Sequence, residues 1–264
     1  MISIIIINFN TFELTCKCIR SVISHTLKLH FEIIIVDNAS KECAPEKFKE
    51  IFPSIILVKS EINLGFAKGN NLGIQQSKGN VILLLNSDTE LTEDSISICY
   101  NELMKFEKAG AITCKLLNAD NSVQHNCQSF PSAIKIMFEK IRIHKLFSNQ
   151  FRSDYLQGFY WNYDKAGFPD WIWGTFFMFK KSVLKKLPEG KLNDDYFMYI
   201  EDIKWSFDFR KTGLKMFYTP ETAIIHHSGG SGGKKSDMIL KNYQQFLDNN
   251  YNFINKTFIY LLNK

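Results

Sequence analysis

"ISIIIIN", residues 2–8, is an unbroken run of mostly β-branched apolar side chains that stops at an amide. A strand with one wet face alternates apolar and polar residues; a run without alternation is covered on both faces, as at the centre of a parallel sheet. The pattern returns in "FEIIIVDNAS" (31–40), "SIILVKS" (54–60), "VILLL" (81–85) and "GAITCKLL" (110–117). Between these runs the spacing becomes helical. Phe12, Cys16, Ile19, Ile23 and Leu27 recur behind Asn10, read as an N-cap with Glu13 in capping-box position. Helices near 44–51, up to about Ser77 after the loop "EINLGFAKGNN" (61–71), and over 92–108 fill the other gaps. Strand–helix–strand repetition predicts parallel pairing through right-handed crossovers. The expected fold class is α/β, a doubly wound, mostly parallel sheet flanked by helices.

Three strands end in polar residues: Asn8, Asp37 and, in "LLLNSDTEL" (83–91), Asp88 beside Asn86 and Ser87. In a parallel sheet these ends share the edge where ligands bind. Thr92 stands nearer the next helix as a cap, which leaves Asp88 for a hard divalent cation completed by phosphate oxygens and water. One carboxylate rarely holds a metal. His226 or His227 would add an imidazole, although each is as readily structural; "AIIHHSGGSGG" (223–233) runs from a strand into a glycine-rich loop able to fold over a phosphate. Asp37 reads as a ribose or base contact, or as the Asx-turn residue of "DNAS". Lys68 reads as a phosphate partner or a solvated lysine. Glu201 and Asp202 open a helix that stops at Gly213; such acids complement the helix dipole, or take a proton from a hydroxyl nucleophile. No G-x-G-x-x-G and no G-x-x-x-x-G-K-[ST] is present, which argues against nicotinamide or ATP-hydrolysing chemistry.

The 264 residues carry a net charge of +5, enough for an anionic ligand or membrane surface but short of a nucleic-acid stripe. Six cysteines at 16, 18, 43, 99, 114 and 127 lack metal-ligand spacing and read as reduced thiols of a cytoplasmic chain. No signal peptide is expected, nor any run of the roughly 18 apolar residues needed to span a membrane. "WIWGTFFMFKK" (171–181) reads as one aromatic strand, and "LKMFYTP" (214–220) as another. In 133–147, Ile134, Met137, Phe138, Ile141 and Leu146 form an apolar stripe. Opposite it, Lys135, Lys140, Arg142 and Lys145 against Glu139 give a net +3. The tail from Met238 spaces Tyr243, Leu247, Tyr251, Ile254, Phe258 and Leu261 as a helix. Both segments either cover the sheet or lie peripherally on an anionic membrane.

In this order, "IIIINFN", "IIIVDNAS", "NLGFAKGNN", "LLLNSDTEL", "WGTFFMFKK", "YFMYIEDIKWSFDFRKTG" and "IIHHSGG" resemble the motifs of family 2 glycosyltransferases, and most of all the bacterial rhamnosyltransferase-like branch that builds cell-surface polysaccharides. The resemblance covers residues 2 to about 232. It implies a single-domain A-type glycosyltransferase fold (1–232, with a nucleotide-sugar-binding half 1–117 and an acceptor half 118–232) and a helical tail, 233–264. It further implies a nucleotide-sugar donor (dTDP-rhamnose or a UDP-sugar), a Mn²⁺ or Mg²⁺ cofactor, a glycan or lipid-linked acceptor, and inversion. Carried over, Asn8 and Asp37 meet the nucleoside, with Asn63, Lys68, Asn71 and Ser87 beside base, ribose or phosphates. Asp88 takes the metal with His226 or His227. Asp202 is the base beside Glu201, and Trp173, Gly174 and Asp195 face the acceptor. Two departures stand out: Asn86 replaces the first acid of the metal triplet, and Trp173 stands where a smaller residue often precedes the glycine. A non-catalytic nucleotide-sugar-binding relative and a nucleotidyltransferase are the competing readings; the latter should carry a basic glycine-rich loop after the first strand, and "NFNTFEL" is not one.

Overall fold

The computed structural model describes residues 1–227 and 235–262. The chain begins β1 (Ile2–Asn8), α1 (Phe12–His25), β2 (Phe31–Asn38), α2 (Lys47–Ile51), β3 (Ile56–Ser60), α3 (Gly65–Gln76) and β4 (Val81–Asn86). It continues through β5 (Thr89–Leu91), α4 (Ser95–Lys105), β6 (Ala109–Leu117), β7 (Val123–Gln124), β8 (Cys127–Gln128), α5 (Ala133–Lys140) and a short α6 (Asn149–Phe151). Then come β9 (Trp171–Ile172), β10 (Phe176–Lys180), α7 (Glu201–Lys211), β11 (Lys215–His226), α8 (Lys235–Asn250) and α9 (Phe253–Leu262).

The main sheet runs β3-β2-β1-β4-β10-β6-β11-β5, with β7 paired to β6. Strands β3, β2, β1 and β4 are parallel, as their unbroken apolar runs predict. Alternate residues of β1 serve opposite faces. Ile4 and Ile6 pack with Cys16, Ile19 and Val22 of α1, while Ile5 packs with Ala67 and Ile74 of α3. Register sets Asn8 level with Asp37, and Ile7 level with Asn86, so the polar strand ends share one edge.

Several expectations change. The aromatic segment 171–181 is two strands, not one. β9 pairs with β8, Gly174 lies in the break, and β10 enters the main sheet antiparallel between β4 and β6. The strand expected at 214–220 continues to His226 as β11, with a bulge between Thr219 and Ala223. Asn10 does not cap α1. Its φ is 53° and its side-chain Oδ1 accepts from Lys41 N; Thr11 takes the N-cap position without a side-chain bond to the helix's N–H groups, and the Phe12 N–H goes to Glu42 instead. Asp94, rather than Thr92, caps α4 through Ser97 N.

Helix α3 starts at Gly65, inside the segment expected to be loop. Its glycines recur every fourth residue, and Gly69 and Gly73 form the face that lies on the sheet. A Cβ at Gly69 would stand 3.3 Å from Ile7, and one at Gly73 2.5 Å from Ile5 Cγ2. Close approach outweighs the poor helix propensity of glycine here. Segment 133–147 breaks at Arg142, whose φ is 57°, and the tail breaks between α8 and α9. Phe246, Leu247 and Ile259 of the tail join Phe130, Tyr196 and Ile203 in a third apolar cluster.

Gly73→Ala tests the close approach of α3. Alanine gains about 1 kcal/mol of helix propensity, while overpacking against the stiff Ile5 side chain costs about 1–3 kcal/mol. A net loss of stability is expected, read as a lower urea midpoint. A raised midpoint would show that α3 moves off the sheet without penalty.

Candidate active site

At the strand-end edge, Asn8 is buried and fully engaged. Its amide donates to Asp37 Oδ2 (2.8 Å) and Ser40 Oγ (2.9 Å), and its carbonyl accepts from Thr11 (3.2 Å) and Thr15 (2.9 Å). Asp37 also accepts from Ser40 N at 3.1 Å, the Asx-type bond of "DNAS". This network fixes the floor of a cleft lined by Thr11, Asn38, Asn63, Phe66, Ser87, Asp88 and Met198. Asn38 shapes its wall. Its carbonyl accepts from Leu64 N (2.8 Å), and its amide donates to Asn63 Oδ1 (2.9 Å) and Gly65 O (3.1 Å). Lys68 is exposed on α3. Asn71 points elsewhere: it bonds both the N–H and the carbonyl of Leu192, tying α3 to the loop before α7.

Beyond Asn86 the chain turns through Ser87 and Asp88 into β5, which pairs antiparallel with β11 and sets Thr89 opposite His226. His226 Nε2 thereby meets Asp88 Oδ1 at 3.3 Å. His227, one residue on, lies beside Glu90 at 3.0 Å. The imidazole of His226 is aimed by Gln124. That amide donates to His226 O (2.9 Å) and Asn118 Oδ1 (2.7 Å), so its oxygen faces His226 Nδ1 at 2.7 Å and accepts a hydrogen bond from it. Nε2 is then the nitrogen presented to Asp88. Burial alone would push the Asp88 carboxyl up, but the hydrogen bond and charge of His226 hold it below its usual range.

This donor set fits a divalent cation. The 3.3 Å between Oδ1 and Nε2 is close to the ~3 Å edge of an octahedron with ligands at about 2.1 Å. Among the described residues no third His, Cys, Asp or Glu joins them, so remaining ligands would come from phosphate oxygens and water. The glycine-rich segment expected to fold over a phosphate lies largely outside the described residues.

The carboxylate pair opens α7. Asp202 Oδ2 accepts from Gly174 N (3.2 Å) and Oδ1 from Ile203 N (2.8 Å). Gly174 adjoins Thr175, whose carbonyl accepts from Asn86 N at 3.0 Å, so one strand entry joins Asp202 to the Asp88 turn. Trp173 is half-buried before that glycine, and Asp195 is exposed in an Asn193–Asp195 turn. Tyr199 and Ile200, at φ 65° and 73°, precede the pair. A β-branched residue in this region is strained by about 1–3 kcal/mol. Neighbours hold it: Phe66 N donates to Phe197 O (2.9 Å) and Asn242 to Met198 O (2.8 Å).

Residues 3–187 match the family model described as glycosyl transferase family 2. The chain belongs to this family. It is 22% identical over 214 residues to an N-acetylglucosaminyl-diphospho-decaprenol L-rhamnosyltransferase of Mycobacterium tuberculosis, covering 76% of this chain and 68% of that one. It is 21% identical over 243 residues to the O-antigen biosynthesis protein RfbC of Myxococcus xanthus, covering 86% of this chain and 17% of that one. Among solved structures it resembles GalNAc-T7 with UDP, GalNAc and Mn²⁺ (TM-score 0.67, 16% identity, 94% of this chain). It also resembles the mannosyltransferase PcManGT of Pyrobaculum calidifontis in complex with GDP-Man and Mn²⁺ (TM-score 0.59, 13% identity, 93% of this chain). The chain spans 48% and 61% of those two chains. These likenesses show the A-type glycosyltransferase fold.

Within this glycosyltransferase, the two carboxyls of α7 divide their roles by environment. Burial and the adjacent Asp202 push Glu201 well above the ordinary range, and its Oε2 has no partner among the described residues. Both causes favour its neutral form. Burial raises Asp202 from 3.8 to about 6, against the pull of the Gly174 and Ile203 N–H groups. Asp202 is therefore an anion at neutral pH, with more basicity than an exposed aspartate.

Because Glu201 binds its proton more tightly folded than unfolded, its contribution to stability is lost as pH rises above its ordinary value of 4.5. Glu201→Gln keeps the neutral state at every pH. It should raise Tm at pH 8 by a few degrees, for roughly 1–2 kcal/mol, and flatten the pH dependence. An unchanged or lower Tm at pH 8 would mean that Glu201 is ionised in the fold.

Proposed function

We propose that this glycosyltransferase moves a sugar, with inversion, from a nucleotide-sugar donor (dTDP-rhamnose or a UDP-sugar) to a hydroxyl of a glycan or lipid-linked acceptor in cell-surface polysaccharide synthesis. The observation that carries this reading is a half-buried Asp202 of raised basicity, joined through one strand entry to the Asp88–His226 pair. The names of the rhamnosyltransferase and O-antigen relatives support the substrate class. Six unpaired cysteines, five of them buried, suit a cytoplasmic setting, where nucleotide sugars would be met. No helix of the described residues is long and apolar enough to cross a membrane.

In this reading the Asn8–Asp37 network positions the nucleoside against the cleft, with Asn63 and Ser87 beside the ribose and phosphates and Lys68 at its rim. Asn71 acts from behind, holding the acceptor-side loop. A divalent cation on Asp88 and His226 would supply positive charge against the departing diphosphate. A nitrogen donor favours a first-row ion such as Mn²⁺ over Mg²⁺. Asp202 takes the proton of the acceptor hydroxyl as it attacks the anomeric carbon opposite the leaving group. Trp173, Gly174 and Asp195 form the acceptor side, where the indole narrows the approach.

Asp202→Asn should lower kcat by at least about 10²-fold while donor affinity stays within a factor of two or so. In the wild type, kcat/KM should fall about tenfold per pH unit below about 6, because the base is lost on protonation. Steady-state rates from pH 5 to 8.5 check both; a flat acid limb would remove Asp202 from the role of base.

Calorimetry of UDP with and without Mn²⁺ tests the metal pair. Asp88→Ala should abolish the Mn²⁺-dependent gain in affinity. Gln124→Leu should weaken it by about 10–100-fold and leave metal-free UDP binding unchanged. Equal gains in wild type and both variants would place the metal elsewhere.

A further inference from the structure

The third apolar cluster leaves part of its covering helices facing outward. Ala133 and Ile136 of α5 pack inward with Ile259 of α9. Round the helix from them, Ile134, Met137 and Ile141 are 55%, 42% and 61% exposed, and Leu146, past the break at Arg142, is 83% exposed. No residue of α5 is buried. On α9, Ile254 and Phe258 are likewise exposed while Ile259 is wholly covered. The two helices touch. The apolar spacing of 133–147 therefore does not serve the sheet.

Cations border this stripe. Lys140, Arg142 and Lys145 are exposed and make no ion pair among the described residues, against one acid, Glu139. Lys135 is withdrawn, because it bonds Asp170 at 3.1 Å. Three cations less one acid leave a local net charge of +2.

We propose that this face docks on an anionic phospholipid membrane, with Ile134, Met137, Ile141 and Leu146 entering the interface and Lys140, Arg142 and Lys145 meeting lipid phosphates. An amphipathic helix with exposed apolar residues and a basic border is the form that lies in such an interface. Charge decides against a second copy of the chain. A two-fold contact apposes the same patch on both subunits, so these unpaired cations would face one another. Protein–protein cores also exclude charge. The inference stands apart from the transfer reaction, since vesicle binding needs neither donor nor acceptor.

Co-sedimentation of the full chain with vesicles of phosphatidylcholine, alone or mixed equally with phosphatidylglycerol, tests it. Two variants at exposed positions accompany the wild type: Ile141→Glu with Leu146→Glu, and Lys140→Glu with Arg142→Glu and Lys145→Glu. An unchanged Tm confirms that each folds. The wild type should sediment only with the anionic vesicles and be released by salt. The charge variant should bind at least about tenfold more weakly, each cation near the surface being worth about fivefold. The apolar variant should lose at least about tenfold as well. No sedimentation of the wild type at low salt, or equal sedimentation of all three, would overturn the proposal. A dimer in analytical ultracentrifugation that the apolar variant dissociates would overturn it too, in favour of a second copy.

Discussion

Two carboxyl groups one residue apart repel each other, and burial makes each ion expensive to keep. At the start of α7 the conflict is resolved by unequal hydrogen bonding. Among the described residues Glu201 Oε2 meets no donor, whereas Asp202 receives two backbone N–H groups, from Gly174 and Ile203. The helix N-terminus adds its partial positive charge to the same side. The neutral form is thus favoured at Glu201 and the negative charge at Asp202 before any substrate arrives. The arrangement depends on Gly174, which lies in the break between β9 and β10 with its N–H turned to Asp202. A Cβ there would stand 3.1 Å from the Phe66 ring and 3.7 Å from Asp202 Cβ.

The turn into α7 is held from two directions. Phe66, in the first turn of α3, fixes the Phe197 carbonyl, and Asn242 of α8 fixes that of Met198. Between them Tyr199 and Ile200 keep a backbone conformation that an isolated chain would leave. The tail is therefore tied to the turn that aims Asp202, as well as covering apolar surface.

The parallel half of the sheet and its ligand edge are legible because buried parallel strands write themselves as unbroken apolar runs. Asn8, Asp37 and Asp88 follow directly from where those runs stop. Other features depend on pairings that sequence spacing does not record. The aromatic run 176–180 suits either strand direction, so the antiparallel insertion of β10 is hidden. Alternation says that His226 and His227 face opposite ways, yet only the register with Thr89 tells which one meets Asp88. Gln124 reaches His226 from 102 residues away and sits in a two-residue strand that carries no periodic signal. The start of α3 at Gly65 is masked because glycine and asparagine read as loop; their service in close packing shows only once Ile5 and Ile7 lie beneath them. Asn38 could be suspected as the neighbour of Asp37, but its three bonds to residues 63–65 need the fold.

The antiparallel strand β10 also fixes the order in which this molecule can be completed during synthesis. β4 and β6 are separated in the sheet by a strand that leaves the ribosome about sixty residues after β6 ends. Until then the first 117 residues hold one sheet fragment, β3-β2-β1-β4, whose inner edge Val81–Leu85 is unpaired, and a lone β6, whose partners β7, β10 and β11 all follow it. Such edges invite pairing with other nascent chains. The long-range closure through β10 makes folding slow relative to the local βαβ units. A growing chain of this protein thus has a vulnerable interval, between emergence of β6 and arrival of Phe176–Lys180, in which its most apolar strands lack their final neighbour.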